Sequence, residues 1–141
     1  MSKGKPIDQL KLGDSAQLSN VISEEVIHDF AKATGDFNPI HLDQAYAEKT
    51  RFKGRIAHGA LSIGFISGVL ANLLPGPGSI YLSQEIKFLA PVRIGDTLIA
   101  KVEVIELIPD RNRARFRTTC INQKDEVVAD GTAWIMPPTD R

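Results

Sequence analysis

The chain has little of what marks several large classes of protein. It carries one cysteine, Cys120, in 141 residues, so no intrachain disulfide and no thiolate-built zinc cluster is possible. It has no excess of either charge: lysine plus arginine and aspartate plus glutamate number 17 each, which leaves no net field to gather nucleic acid or an anionic membrane. It has no long apolar run. The longest, from Gly59 to Leu74, is 16 residues, contains two serines and stops at Pro75, whereas a membrane span needs about 20. The opening "MSKGKPIDQLKLGDS" has neither an apolar signal core nor an arginine-rich transit pattern. A soluble protein of a reducing compartment, the cytoplasm, is therefore expected, with neither nucleic acid nor membrane as partner.

What is present fits a globular chain with a real core: 43% hydrophobic and 24% charged residues. No repeat, low-complexity tract or linker divides it, and the length suits one domain over residues 1–141. The N-terminal half reads as helices. Ser23 is a natural N-cap for "EEVIHDFAKAT", whose Val26, Ile27, Phe30 and Ala31 recur at helical spacing, and Gly35 suits its end. Pro39 disfavours helical geometry at Asn38, so this helix stops near Asp36 and His41 falls in the loop beyond. Asp43 is placed to cap a further short helix. The stretch from Gly59 to Leu74 is apolar on nearly every side, as a helix surrounded by protein would be.

The C-terminal half reads as strands. "SIYLSQEIKFL", "TLIAKVEVIELI", "RARFRTTCINQ" and "EVVADGTAWIM" are rich in branched residues and joined by turn-like connections, and "SAQLSNVIS" near the N-terminus adds a further strand. The expected architecture is α+β, an antiparallel sheet of about five strands around one long buried helix.

Candidate chemistry centres on "ATGDFNPIH". The break at Pro39 leaves Asp36 at a helix end and His41 beyond it, so an acid and a base can converge on one point. Asn38 between them can bond its own loop backbone and hold its shape, although Asp-x-Asn-Pro is also ordinary turn chemistry. Gly59 opens the apolar helix, where its N–H lacks an intrahelical acceptor and a carbonyl group can approach unobstructed. His58 is read as packing at the helix start, and Cys120 as core. Ser67 lies about two turns into that helix and either bonds a carbonyl one turn back or lines the pocket and orients Asp36. No G-x-S-x-G surrounds it, so a serine hydrolase is not indicated. Arg113, Arg115 and Arg117 alternate onto one strand face, either solvated or turned toward phosphates or an acidic carrier protein.

"FAKATGDFNPIHLDQAYA" resembles the hydratase-2 signature of MaoC-like R-specific enoyl-CoA hydratases: an aromatic, then small-Gly-Asp-x-Asn-Pro-aliphatic-His, and a later alanine. The similarity continues through "IAHGALSIGFISGVL" and the closing strands, over nearly the whole chain, and the length suits the single-hot-dog bacterial type. The resemblance implies a hot-dog fold, a homodimer joined edge to edge, and an acyl-CoA thioester bound near the subunit interface. It also implies reversible syn hydration of a trans-2-enoyl-CoA to an (R)-3-hydroxyacyl-CoA, as in polyhydroxyalkanoate precursor supply. Asp36 and His41 would be the catalytic pair, Gly59 the thioester-carbonyl contact, Ser67 a pocket-side residue near the aspartate and Asn38 a loop organiser. No metal and no cofactor would be needed, CoA being part of the substrate. Two rivals stand beside this reading: a 3-hydroxyacyl-[acyl carrier protein] dehydratase using the arginine face, and a non-catalytic acyl-CoA-binding subunit.

Overall fold

A computed structural model describes residues 3–139. Helix α1 (Glu24–Thr34) starts where the Ser23 hydroxyl accepts from the Val26 N–H and ends at Gly35, whose φ of 79° turns the chain out of the helix. One difference from expectation follows at once. Pro39 does not leave His41 in a loop; it opens a single helical turn, α2 (Pro39–Leu42), with Asn38 accepting from the Ile40 N–H as its cap. Proline suits that first position because its missing N–H would have had no partner there. Helix α3 (Gln44–Glu48) follows directly, capped by Asp43.

Helix α4 (Gly59–Asn72) lies against a five-stranded antiparallel sheet ordered β1-β3-β4-β5-β2, with β1 (Ser15–Val21), β2 (Ile80–Phe88), β3 (Thr97–Ile108), β4 (Arg113–Ile121) and β5 (Val127–Met136). Period-two alternation sets which side faces the helix. Leu98, Ala100, Val102 and Val104 of β3 and Ala114, Phe116, Thr118 and Cys120 of β4 are buried. All but Thr118 pack with Leu61, Ile66, Val69 and Leu70 of α4 into one apolar cluster. Burial pushes the Cys120 thiol up to about 11, as expected of a thiol that serves as packing.

Within this chain α4 is not enclosed all round. Gly59, Ala60, Gly64, Ala71 and Asn72 are exposed, so the helix presents an open side of small residues. Beside it β2 ends the sheet, with Ile80, Leu82 and Phe88 exposed. The outer face of the sheet is polar and self-paired. Arg115 meets Glu106 at 3.7 Å and lies over the Trp134 ring at 5.7 Å, and Arg117 meets Asp130 at 3.3 Å. Arg113 donates to the carbonyls of Arg111 and Asn112. Two of the three arginines on this face, Arg115 and Arg117, thus have acidic neighbours, whereas Arg113 bonds only main-chain carbonyls. Among the described residues no helix is long and apolar enough to cross a membrane.

Candidate active site

The segment from Thr34 to Gly59 builds a site at the N-terminal end of α4. The Thr34 hydroxyl donates to the Phe30 carbonyl at 2.7 Å and accepts from the Asp36 N–H at 3.2 Å. The Asp36 carboxylate accepts from the Asn38 N–H at 3.2 Å, and Asn38 in turn accepts from the Ile40 N–H at 3.1 Å. This relay of side-chain-to-backbone bonds, with Asn38 at its middle, carries the chain from α1 into α2.

His41 is buried and Asp36 is exposed at the rim. A carboxylate oxygen of Asp36 and ring nitrogens of His41 and His58 all lie within 4.8 Å of one another. One water making two hydrogen bonds of about 2.8 Å at a near-tetrahedral angle separates its acceptors by about 4.5 Å. The spacing therefore suits a single shared water.

His41 Nδ1 lies 2.7 Å from the Ile56 carbonyl oxygen. A carbonyl only accepts, so the proton sits on Nδ1 and Nε2 is left with a bare lone pair. Burial pushes the imidazole below its ordinary value and the neighbouring His58 ring adds to this, outweighing the Ile56 bond and the Asp36 charge, which act upward. His41 is thus held neutral and able to take a proton. Its main chain is held as well: Arg55 Nε donates to the His41 carbonyl at 2.7 Å while its guanidinium grips Glu24 at 2.6 and 3.0 Å. Arg93 holds the returning loop through the Phe52 and Gly54 carbonyls at 2.6 and 3.3 Å.

His41 and His58 border a cavity of about 300 Å³ whose walls also include Gly59, Ser62, Phe88 and Val128. Gly59 stands first in α4, where the N–H groups face outward unpaired and carry partial positive charge. The Phe88 ring covers it so closely that a Cβ on Gly59 would lie 3.2 Å from the ring. A side chain there would push the ring by a few tenths of an ångström.

Ser67 is not brought to this cavity. It lies eight residues past Gly59, about 12 Å along the helix axis, whereas Ser62 lies one turn on and lines the wall. Ser62 was passed over in the sequence, whereas His58, read there as packing at the helix start, is buried at that place. Asp36, His41 and His58 are also the candidate metal-ligating set among the described residues. The two imidazoles stack with centroids 3.9 Å apart and a 31° tilt.

Residues 9–128 match the family model described as MaoC like domain, and the chain belongs to that family. Its sheet wrapped on one helix is the hot-dog fold. Among its relatives, the (R)-specific enoyl-CoA hydratase of Rhodospirillum rubrum is 51% identical over 93% of this chain and 90% of its own length. The unliganded R-hydratase of Pseudomonas aeruginosa superposes with a TM-score of 0.91, at 46% identity, over 97% of this chain and 88% of that one. The (R)-hydratase from A. caviae involved in PHA biosynthesis does so with a TM-score of 0.89, at 39% identity, over 92% and 98%.

Proposed function

We propose that this protein is an R-specific enoyl-CoA hydratase, adding water reversibly to a trans-2-enoyl-CoA to give an (R)-3-hydroxyacyl-CoA. The observation that carries this reading is the spacing of Asp36 and His41 within 4.8 Å of each other, with His41 and Gly59 lining one cavity. Two acceptors, the carboxylate and the bare Nε2, take the two hydrogens of one water and leave an oxygen lone pair for C3. As the new C–O bond forms, the C2–C3 π pair shifts to C1–C2 and the carbonyl π pair moves onto the thioester oxygen, where the Gly59 N–H and the start of α4 meet the charge. Such a donor contributes about 3 kcal/mol. The pair takes one proton from the water and returns one to C2 on the same face, so the water's three atoms are all accounted for and the addition is syn. Proton transfer and one main-chain donor suffice for this chemistry, so no metal or redox cofactor is assigned; CoA enters with the substrate.

The working unit in this reading is a homodimer. Two features support it: the open side of small residues on α4 and the free β2 edge, with Ile80, Leu82 and Phe88 exposed. A second copy would cover both. The lone, buried Cys120 agrees with a reducing cytoplasm, and the A. caviae relative suggests polyhydroxyalkanoate precursor supply as the setting. The carrier-protein reading leaned on the arginine face, where Arg115 and Arg117 each already have an acidic neighbour. Purified protein mixed with crotonyl-CoA should deplete the enoyl thioester and yield the R enantiomer alone. An S or racemic product, or release of free CoA thiol in place of hydration, would overturn the assignment.

A further inference from the structure

His58 plays no part in the reaction just described, yet its surroundings are not those of a ring that merely packs. It is 2% exposed. Its Nε2 lies 3.0 Å from the Asp36 main-chain oxygen, 22 residues upstream. One face stacks on His41 with centroids 3.9 Å apart, and Phe30 flanks it at 4.8 Å. Since a carbonyl only accepts, the ring proton is on Nε2. Nδ1 is then a bare acceptor, and it is buried with no hydrogen-bond partner among the described residues. A phenylalanine would fill the slot between Phe30 and His41 without desolvating an unpaired nitrogen. What the histidine adds is the Nε2–H bond.

That bond matters because of what else holds Asp36. Its N–H bonds Thr34 and its carboxylate accepts from Asn38, both two residues away within the same exposed turn. The His58 bond is the long-range tether at this residue. His41, by comparison, is fixed to Ile56 and Arg55 across the loop. His58 also precedes Gly59 directly in the chain.

We propose that His58 is a positioning residue for the hydration. Its Nε2–H holds the Asp36 backbone, and with it the carboxylate, in register with both the His41 ring and the Gly59 amide. This rests on the reading of Asp36 as half of the proton-handling pair. Loss of the tether lets the carboxylate drift while substrate contacts in the cavity remain, so the expected signature is a loss in kcat at nearly constant KM.

The test uses the full chain in two variants. His58→Gln can extend an amide N–H to the place of Nε2, whereas His58→Phe keeps the stack and removes the donor. His58→Phe should lower kcat about 100-fold, the scale of a 1 Å misplacement, with KM changed by less than about twofold. His58→Gln should stay within about threefold of the parent kcat. Near-parental turnover in His58→Phe overturns the proposal, and so does a His58→Gln as slow as His58→Phe. Should His58→Phe not fold by circular dichroism, a ring ¹⁵N spectrum of the unaltered protein decides. The neutral His58 ring protonated on Nε2 supports the tether, and the Nδ1–H tautomer overturns it. That spectrum is independent of turnover, so it judges His58 even if the protein hydrates no enoyl-CoA.

Discussion

In the sheet, β3 and β4 turn Leu98, Val102, Phe116 and their neighbours inward at every second position, and apolar burial against α4 holds them there. Between Thr34 and Gly59 the chain has little such burial. It is held by side chains reaching distant main-chain carbonyls: His41 to Ile56, His58 to Asp36, Arg55 to His41 and Arg93 to Phe52. Burial is non-directional and roughly proportional to area, so it secures a scaffold without fixing a rotamer. Hydrogen bonds to carbonyls are directional, which is what a pair of groups sharing one water requires. The two regions should accordingly fail in different ways.

The largest expected effect lies in the site. Asp36→Asn and His41→Gln should each lower kcat for crotonyl-CoA by about 10²–10⁴, the usual contribution of a positioned acid or base, with thermal midpoints close to that of the parent. Steady-state kinetics beside a melting curve checks both halves. The converse change is in the scaffold. Phe116→Ala empties a fully buried position on β4 and should cost about 3–5 kcal/mol in urea unfolding, while the protein that remains folded turns over at the parental rate. A Phe116→Ala protein of normal stability, or an Asp36→Asn protein of normal activity, would erase the distinction.

A smaller effect links the two regions through pH. The folded-state value of His41 lies below its ordinary 6.5, chiefly through burial. Between those two values the unfolded chain holds a proton that the folded chain does not. Folded stability from this group is therefore complete above 6.5 and declines as pH falls through the window beneath it. Over the same window the folded ring stays bare, so the acid limb of kcat/KM should fall below 6.5. A limb above that value would mean that the buried ring is protonated more easily than in water. The smallest effect belongs to the outer face: Arg117→Ala breaks an exposed pair with Asp130 and should change stability by about 0–1 kcal/mol, with no change in turnover.

The same contrast explains what could be read without coordinates. All five strands, the Ser23 cap, the Gly35 stop and the Asp43 cap were legible because each rests on local pattern or short-range bonding. Asp36, Asn38 and His41 were legible because Asp-x-Asn-Pro-x-His is a compact motif. The single turn of α2 was not, since proline disfavours a helix behind it and favours one ahead of it, and only the Asn38 cap resolves the two. The neighbours of His58 and Phe88 were not legible for a different reason: His58 meets the Asp36 carbonyl 22 residues away and Phe88 the Gly59 backbone 29 residues away, and main-chain partners leave no trace in residue identity. Ser67, given a pocket-side place by the family resemblance, does not line this cavity in the single chain.

One water serving both carbons of the alkene can be tested by stereochemistry. Hydration of trans-crotonyl-CoA in D₂O should give a single diastereomer, with deuterium at C2 and the hydroxyl at C3 added to the same face, as read by proton coupling in the released 3-hydroxyacyl group. Deuterium on the opposite face, or both C2 diastereomers in comparable amounts at early conversion, would show that Asp36 and His41 do not share a water.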